Sequence, residues 1–374
     1  MDNLTKHKII FTGGHHNSAL AVAKELLKDN YAEVVWFGHK FSMQNDKNPS
    51  AEFLEVTNNH IRFRVLHAGK IYKTYSILSW LKIPWGFIEA FYFLLVENPD
   101  LIVSFGGYLA APVVIAAWLQ GIPIITHEQT TVVGFANKII AYFADKILVT
   151  WPQSKKYFDS QKVVITGLPL REEIFKSTNI KLFNNNLPVV YITGGKQGSH
   201  LINETVGKVL PDLLKKINII HQTGSNSVYD DFNKLIELRE KLESSIRERY
   251  LVKQYYFEDE IGDIFNQADI VISRAGAHTT YELAALGKPA LFIPIKWASH
   301  NEQYKNAREL INVGIASMIP ENRLTPESLV VELNNMLNNL SQYLKNADLV
   351  KQKVIFNAKE RIVNEIKTTL NTSN

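Results

Sequence analysis

Cysteine is absent from the 374-residue chain. This absence excludes disulfide bonds, thiolate metal sites and a cysteine nucleophile, and it is consistent with the reducing cytosol. A strong excess of one charge is missing as well, because 41 Lys and Arg residues face 37 Asp and Glu residues. A net charge of +4 is too small to indicate a nucleic-acid-binding protein, but it suits an anionic membrane surface or a phosphorylated ligand.

Long apolar runs are also missing. The nearest approach, Ile83 to Val96, is interrupted by a proline and a glutamate, whereas a membrane-spanning helix needs about 18 or more apolar residues. The segment from Met1 to His7 is polar, unlike a signal peptide. No D-x-D pair is placed to bind a metal, since Asp230-Asp231 and Glu258-Asp259-Glu260 have the character of surface charge. We therefore expect neither a transmembrane helix nor a metal requirement.

The chain does contain short apolar runs that alternate with amphipathic segments. Lys8 to Phe11 is typical of a buried strand, and Ser18 to Lys28 carries one apolar face, as in a surface helix. The alternation starts again at Pro188 to Ile192, which is followed by a glycine-rich turn and an amphipathic segment from His200 to Lys215. This order predicts parallel sheets covered on both faces, so we expect an α/β protein with two Rossmann-like domains.

Glycine and proline at Gly167-Leu168-Pro169 indicate the domain boundary. We expect an N-terminal domain over residues 1–167, a C-terminal domain over residues 168–345, and a final segment, 346–374, that returns to the N-terminal domain. One continuous helix is predicted from Asp348 to Leu370 in that segment. Ligands favour the cleft between two such domains.

The first glycine loop, Thr12-Gly13-Gly14-His15, lies between a predicted strand and a predicted helix. Glycines let a backbone approach a ligand closely, and the start of a helix attracts anions. The loop lacks the G-x-G-x-x-G spacing of a dinucleotide site. His15 is a candidate general base or phosphate ligand, and the alternative is a loop histidine held by structural hydrogen bonds.

A second glycine loop, Gly194 to Ser199, has the same strand-to-helix context. With Lys196 it is typical of a diphosphate-binding loop, although its spacing is not that of a Walker A motif and a structural tight turn is the alternative.

The most informative stretch begins at Arg274 and contains a turn, a helix start and a carboxylate. The hydroxyls of Thr279 and Thr280 can cap the helix or bind phosphate at its positive end. Glu282 can accept two hydrogen bonds from the vicinal hydroxyls of a ribose, and the alternative is a capping box with Thr279. Further along, Gln303 and Asn306 share a helix face from which amides reach sugar hydroxyls, unless they are plain surface amides.

In this order, the motifs resemble those of the MurG family, the UDP-N-acetylglucosamine:lipid I N-acetylglucosaminyltransferases of the GT-B fold, glycosyltransferase family 28. The resemblance extends along nearly the whole chain. The matching segments are Thr12-Gly13-Gly14-His15, Phe105-Gly106-Gly107-Tyr108, His127-Glu128-Gln129 with Gly134 and Asn137-Lys138, Gly167-Leu168-Pro169-Leu170-Arg171, Gly194 to Gly198, Arg274 to Pro289, and Gln303 with Asn306-Ala307.

The resemblance implies roles for these residues. His15 is the expected catalytic base and Glu128 the reserve, while Glu282 is expected on the donor ribose and Gln303 on the GlcNAc hydroxyls. The full set of implied donor-binding residues is Arg171, Lys196, Gln197, Ala277, His278, Thr279, Thr280, Glu282 and Gln303. The implied acceptor-binding residues are Thr12, Gly13, Gly14, Gly106, Gly107, Tyr108, Thr130 and Asn137.

The resemblance also implies the reaction. An inverting enzyme would move GlcNAc from UDP-GlcNAc to the 4-hydroxyl of the muramoyl sugar in a polyprenyl-diphosphate lipid, lipid I, to give lipid II for peptidoglycan synthesis, cell shape and division. UDP-GlcNAc is a substrate, and we expect no cofactor and no metal.

Three departures from the family pattern stand out. Ile10 and Phe11 occupy positions where the family usually has two more glycines. Thr130 replaces an asparagine that contacts the donor sugar, and Lys196 replaces a serine of the second glycine loop. The lysine can neutralise a diphosphate, but the changes also fit a different sugar or acceptor.

The segment from Tyr72 to Trp85 combines aromatic residues with lysines. Trp and Tyr favour the bilayer interface, and lysines favour anionic headgroups, so we expect peripheral binding to the cytoplasmic face of the cell membrane. Packing of these aromatics in the core is the alternative.

Three other functions are left open by the residues. One is a GT-B glycosyltransferase acting on another lipid or polyprenyl-diphosphate acceptor. The second is a UDP-GlcNAc 2-epimerase, whose carboxylate and histidine set is not evident in the chain. The third is a non-catalytic UDP-sugar-binding protein, which the changes at Thr130 and Lys196 keep in view.

Overall fold

The computed structural model describes residues 6–28, 30–41, 49–69, 77–226, 228–296 and 301–372, and only the backbone of residues 77–83 and 258. The chain forms two compact units. Unit 1 contains Met1–Leu170 together with Ile355–Asn374, and unit 2 contains Arg171–Val354. The first boundary lies close to the predicted glycine and proline at residues 167–169.

Unit 1 is built on a parallel sheet with seven strands among the described residues, in the order β3-β2-β1-β4-β5-β6-β7. Its first strand in sequence, β1, lies inside the sheet and pairs with β2 on one side and β4 on the other. The strands are β1 (His7–Thr12), β2 (Ala32–Gly38), β3 (Arg62–Val65), β4 (Leu101–Ser104), β5 (Ile124–Glu128), β6 (Lys146–Val149) and β7 (Val163–Ile165).

Helices cover both faces of this sheet because successive strand residues point to opposite faces. Ile9 and Phe11 of β1 belong to one buried cluster, and Ile10 between them belongs to the other. The helices are α1 (His16–Lys28), α2 (Ala51–Asn58), α3 (Ile77–Glu97), α4 (Ala110–Leu119) and α5 (Phe135–Phe143). In the described part of the chain, no helix combines the length and the apolar character needed to cross a bilayer.

Unit 2 repeats the architecture with a six-stranded parallel sheet, counted over the described residues, in the order β10-β9-β8-β11-β12-β13. The strands are β8 (Val189–Thr193), β9 (Asn218–Gln222), β10 (Tyr250–Lys253), β11 (Ile270–Ser273), β12 (Ala290–Phe292) and β13 (Ala316–Met318). The helices are α6 (His200–Leu214), α7 (Asp231–Glu240), α8 (Ser244–Arg247), α9 (Glu258–Gln267), α10 (Ala277–Leu286), α11 (Glu302–Ile311), α12 (Pro326–Asn338), α13 (Leu340–Lys345) and α14 (Ala347–Lys351).

The prediction of one helix from Asp348 to Leu370 is wrong. The chain forms α14 in unit 2, and a separate helix, α15 (Ala358–Thr372), in unit 1. The helix is interrupted where the chain passes from one unit to the other, at Val354–Ile355. Within unit 1, Ile362 and Ile366 of α15 are buried in the same cluster as the α1 side chains.

A chain of buried polar side chains crosses the core of unit 2. His221 on β9 is completely buried, with Nδ1 2.9 Å from the Tyr250 hydroxyl and Nε2 3.0 Å from Asn203 Oδ1. Asn203 donates in turn to Asp231 at 2.9 Å, and Asp231 lies 2.7 Å from Nδ1 of His200. Burial lowers the pKa of His221 to about 3, so the ring is neutral in the folded protein.

We expect His221 to make the protein sensitive to acid. The unfolded chain binds a proton near pH 6.5 and the folded chain only near pH 3, so stability is lost as the pH falls through this window. At pH 5 the loss relative to pH 7.5 is roughly 2 kcal/mol from this residue. Calorimetric melting between pH 7.5 and 5 should therefore show a shallower acid dependence for unit 2 in His221→Gln than in the wild type.

The matched control is His60→Asn, because His60 is exposed and has a positive φ of 58° that asparagine tolerates. Its melting curves should follow the wild type at every pH. An acid dependence of His221→Gln equal to that of the wild type would contradict the assignment.

Candidate functional site

Two loops of unit 1 meet where β1 and β4 end. Gly14 donates its N–H to Gly106 O at 2.9 Å, and Phe105 donates to Thr12 O at 2.7 Å. Gly13 has a φ of +130°, and a Cβ there would lie 2.7 Å from the Phe105 carbonyl carbon. Only glycine fits, so the close approach joins the first glycine loop to the Gly106-Gly107 turn. Thr12 is fully buried and contributes through its backbone.

Asn137 on α5 connects this turn to the end of β5. Its Oδ1 accepts from Gly107 N at 2.8 Å, and its Nδ2 donates to Glu128 Oε2 at 2.6 Å. The other oxygen of Glu128 accepts from the backbone N–H and the hydroxyl of Thr130, at 3.0 and 2.9 Å. The predicted acceptor residues Gly106, Gly107, Thr130 and Asn137 therefore lie in one network around a carboxyl group.

Glu128 itself is 2% exposed. Burial raises its pKa, while the hydrogen bonds from Asn137 and Thr130 act in the opposite direction. Both carboxyl oxygens are engaged with protein donors, so Glu128 is held in a fixed position within the loop network. Thr130, which replaces the family asparagine, is buried with its side chain directed at Glu128.

His15 lies immediately before α1, at the end of the first glycine loop. Burial, and to a lesser degree the neighbouring His16, lowers the pKa of His15 to about 4. The imidazole is therefore neutral near pH 7 and has a nitrogen able to accept a proton. Burial likewise lowers the pKa of His127 to about 4, and its Nε2 donates to Gly167 O at 2.9 Å.

A cavity of about 240 Å³ opens beside these loops. It contains Tyr108, which we predicted from sequence, and it also contains Glu52 and His39, which we did not. The sequence signal for His39 is its position directly after strand β2, since ligand-binding residues of parallel sheets gather at the carboxyl ends of strands. Glu52 carries no such signal, because it lies within the first turn of α2.

The second glycine loop lies in unit 2 and is held by hydrogen bonds to side chains of β8 and β9. Gly195 donates to Thr193 Oγ1 at 3.0 Å, and Gln222 donates to Gly195 O at 3.2 Å. A Cβ on Gly198 would collide with Thr223 O, so this position also requires glycine. The loop presents Lys196 and Gln197 at the surface ahead of α6. Exposed donors at a helix start are typical of a phosphate-binding loop.

The start of α10 lies next along the chain in the same unit. Gly276 precedes the helix as its N-cap residue and, being glycine, supplies no side-chain cap. Thr280 is fully buried, and its hydroxyl donates to Gly276 O at 2.9 Å, which removes it from a role at the surface. The first turn, with Ala277, His278 and Thr279, therefore provides backbone N–H groups at the positive end of the helix.

Glu282 is buried and forms a bidentate ion pair with Arg171. Arg171 Nε lies 2.7 Å from Glu282 Oε1, and Nη2 lies 2.8 Å from Oε2. The capping-box alternative for Glu282 is wrong, because the carboxylate pairs with a distant arginine and α10 begins at Ala277. The structure thus brings together two predicted donor residues that are far apart in the sequence.

The side chains of Gln303 and Asn306 on α11 form hydrogen bonds with backbone groups. Gln303 Oε1 accepts from Ile295 N at 3.0 Å. Asn306 is fully buried and donates to Ala275 O at 3.2 Å, so the expectation that it reaches sugar hydroxyls is wrong. These bonds fix the loops around the start of α10.

Arg274 is a positioning residue to which we assigned no role from the sequence. Its guanidinium donates to Ile293 O at 2.9 Å, to Ser199 Oγ at 2.7 Å and to Glu321 Oε1 at 2.6 Å. Arg274 therefore ties the end of the second glycine loop to the turn before α10. The position of Arg274 directly after a strand marks it as a candidate site residue. Its hydrogen-bond partners are too distant in the sequence to be deduced.

Among the described residues, no three His, Asp or Glu side chains are grouped so that they could hold a metal ion. The expectation of a metal-independent reaction stays a prediction.

Comparisons with known proteins cover both units. A model of the glycosyltransferase family 28 N-terminal domain matches residues 9–149, and a model of the family 28 C-terminal domain matches residues 189–362. The chain is 34% identical over 357 residues to the UDP-N-acetylglucosamine--N-acetylmuramyl-(pentapeptide) pyrophosphoryl-undecaprenol N-acetylglucosamine transferase of Clostridium novyi (strain NT), covering 92% of this chain and 94% of that protein.

Two further matches agree with this one. A protein of the same name from Clostridium botulinum (strain Langeland / NCTC 10281 / Type F) is 35% identical over 355 residues, with 91% of this chain and 93% of that protein covered. The crystal structure of Acinetobacter baumannii MurG matches with a TM-score of 0.72 and 26% identity, covering 97% of this chain and 99% of that chain.

The two parallel α/β units are those of a GT-B glycosyltransferase. The epimerase alternative is not supported, because relatives at this level of identity over nearly the whole chain carry the transferase name. With both domain models matched and full-length relatives above 30% identity, the chain belongs to glycosyltransferase family 28 and, within it, to the MurG family of N-acetylglucosamine transferases.

Proposed function

We propose that this enzyme transfers GlcNAc from UDP-GlcNAc to the muramoyl sugar of undecaprenyl-diphosphate-MurNAc-peptide, lipid I, and so forms lipid II for peptidoglycan synthesis. The proposal rests on the ion pair between Arg171 and Glu282, of which Glu282 is buried on α10, the helix that follows the Gly276 turn, in a member of the MurG family. Through lipid II, the reaction would serve cell shape and division.

The donor is proposed to bind in unit 2. Its diphosphate would lie at the first turn of α10, where backbone N–H groups and the helix dipole stabilise the negative charge that develops on departing UDP. Lys196 and Gln197 of the second glycine loop would add donors. Glu282, held by Arg171, would accept hydrogen bonds from the ribose hydroxyls, and Gln303 would contact the sugar.

The acceptor is proposed to bind in unit 1, at the glycine loops around His15. The acceptor 4-hydroxyl would attack the anomeric carbon of GlcNAc while its proton passes to the neutral imidazole of His15. The bond between that carbon and the UDP oxygen breaks, UDP leaves with the electron pair, and the configuration inverts. Glu128 stays the reserve base. No cofactor or metal enters this scheme.

Two other assignments differ from this one in the acceptor or in turnover. An enzyme that acts on a related lipid acceptor would have the same donor site. Screening of polyprenyl-diphosphate sugars as acceptors distinguishes such an enzyme from one that acts on lipid I. A non-catalytic UDP-sugar-binding protein would bind UDP without turnover.

Peripheral binding to the cytoplasmic face of the membrane is also proposed. Of the segment from Tyr72 to Trp85, residues 72–76 lie outside the described residues, as do the side chains of residues 77–83. Trp85 is described, and it starts an apolar stripe, Trp85, Ile88, Tyr92 and Leu95, whose members are 58–61% exposed. Their spacing places them on one face of α3, opposite the buried Ala90 and Leu94.

The two helices that follow α3 also carry exposed aromatic residues. α3 packs against α4, and α4 packs against α5. Trp118 on α4 lies 5.1 Å from the Phe143 ring of α5, and Tyr142 beside it is 78% exposed. Exposed Trp and Tyr around an apolar stripe favour the headgroup region of a bilayer.

Glu282→Ala should reduce kcat/KM for UDP-GlcNAc about 100-fold, because it removes the carboxylate and leaves the Arg171 charge without its partner. Steady-state kinetics with varied UDP-GlcNAc at saturating acceptor measure the effect. The control is Glu240→Ala, which breaks exposed ion pairs with Arg239 and Arg247 on the surface of the same unit. Retention of wild-type kcat/KM in Glu282→Ala would exclude this donor site.

His15→Ala should lower kcat by about 100-fold or more, since general-base catalysis contributes that much. In the wild type, the acid limb of kcat/KM for the acceptor should fall near pH 4, where His15 becomes protonated, rather than near pH 6.5. His60→Asn is the control. If kcat of His15→Ala stays within threefold of the wild type and Glu128→Gln abolishes transfer, Glu128 is the base instead.

A variant with Trp85→Ser, Tyr92→Ser and Leu95→Ser should bind vesicles containing anionic lipid at least about tenfold more weakly, because it removes apolar area from the stripe. Co-sedimentation with liposomes measures the partition coefficient. The control, Val331→Ser with Leu344→Ser, removes exposed apolar side chains from unit 2. Equal binding of all three proteins would place the membrane contact elsewhere.

A further inference from the structure

The cavity beside the glycine loops of unit 1 contains two polar residues, Glu52 and His39, that have no role in the proposed reaction. It lies where β1, β2 and β4 end, and at about 240 Å³ it falls below the roughly 300–1,000 Å³ of a site for a complete small ligand. It therefore suits one part of a larger substrate. Its lining residues are Gly13, Gly14, His16, His39, Phe41, Ser50, Ala51, Glu52, Gly107, Tyr108 and Leu109.

The carboxyl group of Glu52 is held in a fixed position in this cavity. Trp36, which is fully buried, donates its indole N–H to Glu52 Oε1 at 2.7 Å. Gly38 lies directly beneath, and a Cβ there would approach the same oxygen to 2.8 Å and Phe63 Cζ to 2.6 Å. Burial raises the pKa of Glu52, with the Trp36 hydrogen bond opposing, so the site favours the neutral acid more than water does.

His39 contributes a second polar group. Its Nε2 is buried and has no hydrogen-bond partner among the residues that the structure describes. Burial lowers the pKa of His39, so the ring is held neutral. The Tyr108 ring lies 5.8 Å away and is 37% exposed, which leaves it at the mouth of the cavity. A buried nitrogen without a partner is costly, and a ligand group could satisfy it.

The charges of the lining decide the class of ligand. None of the described lining residues is Lys or Arg, and the carboxyl group of Glu52, where ionised, would repel an anion. The described lining therefore favours an uncharged group over a diphosphate, which fits the adjoining glycine loops. A neutral imidazole and a carboxyl group suit hydroxyl and amide groups, which both donate and accept hydrogen bonds.

We propose that this cavity binds an uncharged hydroxyl- or amide-bearing part of the acceptor sugar, and that Glu52 and His39 are specificity-determining residues for the acceptor. The assignment rests on the proposed function, since it takes lipid I as the acceptor. It divides the acceptor between two neighbouring places, with the diphosphate outside the cavity and the sugar substituents within it.

The first test observes binding without transfer. The indole N–H of Trp36 reports on Glu52, so protein labelled with 15N-tryptophan is titrated with N-acetylmuramyl-L-alaninamide, a neutral probe, and separately with inorganic pyrophosphate. The Trp36 signal, identified by its change in Glu52→Gln, should move with the neutral probe and not with pyrophosphate. Movement with pyrophosphate alone, or no movement at millimolar neutral probe, would overturn the proposal.

The second test uses kinetics. Glu52→Gln and His39→Ala should each raise KM for lipid I about tenfold, the equivalent of one hydrogen bond, and leave KM for UDP-GlcNAc within twofold. General damage to the fold would move both constants. Glu33→Gln is the matched control, because Glu33 is an exposed glutamate on β2 of the same unit. An unchanged acceptor KM in both variants would contradict the proposal.

The two tests separate the failure of this inference from the failure of the proposed function. A wild-type protein that binds the neutral probe but transfers no GlcNAc would refute the reaction and leave the cavity assignment intact. A wild-type protein that transfers normally, with acceptor KM unchanged in Glu52→Gln and His39→Ala, would refute the cavity assignment alone.

Discussion

The geometry of both glycine loops follows from backbone packed directly against backbone. In unit 1, Gly13 lies against the carbonyl of Phe105, and Gly14 donates to Gly106. In unit 2, Gly198 lies against Thr223. A single methyl group at either glycine would force the strands' ends apart, since a backbone neighbour cannot move aside as a flexible side chain can. The loops at the ends of β1 and β8 are thus fixed before any ligand arrives, which is the condition for electrostatic stabilisation of a transition state.

Buried charges complete this arrangement in different ways in the two units. Arg171 and Glu282 compensate each other through two hydrogen bonds, so the carboxylate that is proposed to bind ribose is already oriented. Glu128 has no cationic partner in its hydrogen bonds and is instead surrounded by amide and hydroxyl donors from Asn137 and Thr130. Glu282 is thus part of an ion pair, whereas Glu128 is a buried acid. Burial is the cause that raises the pKa of Glu128.

Much of the candidate site followed from local sequence. The glycine loops, His15 and the start of α10 each lie directly after a strand, and the alternation of apolar runs located those strands. The pairing of Glu282 with Arg171, by contrast, could not be deduced, because the residues are separated by most of unit 2. Thr280 was expected to cap the helix or bind phosphate from its place at the helix start, and Asn306 was expected to reach a sugar from its helix face. Their full burial reflects neighbours that such local arguments do not include. The break between α14 and α15 was missed for the same kind of reason, since the passage between units is a tertiary event.

The sequence by itself determined the fold class and the family, because apolar periodicity sets which segments become strands and helices, and the order of the glycine motifs identifies the family. Tertiary structure decided which side chains meet. Glu52 reaches the Trp36 indole, and Arg274 joins Ser199 to Glu321, only once the parallel strands are in register. Those contacts depend on strand order and helix packing, which bring distant parts of the chain within hydrogen-bond distance, and no local pattern in the sequence encodes that distance.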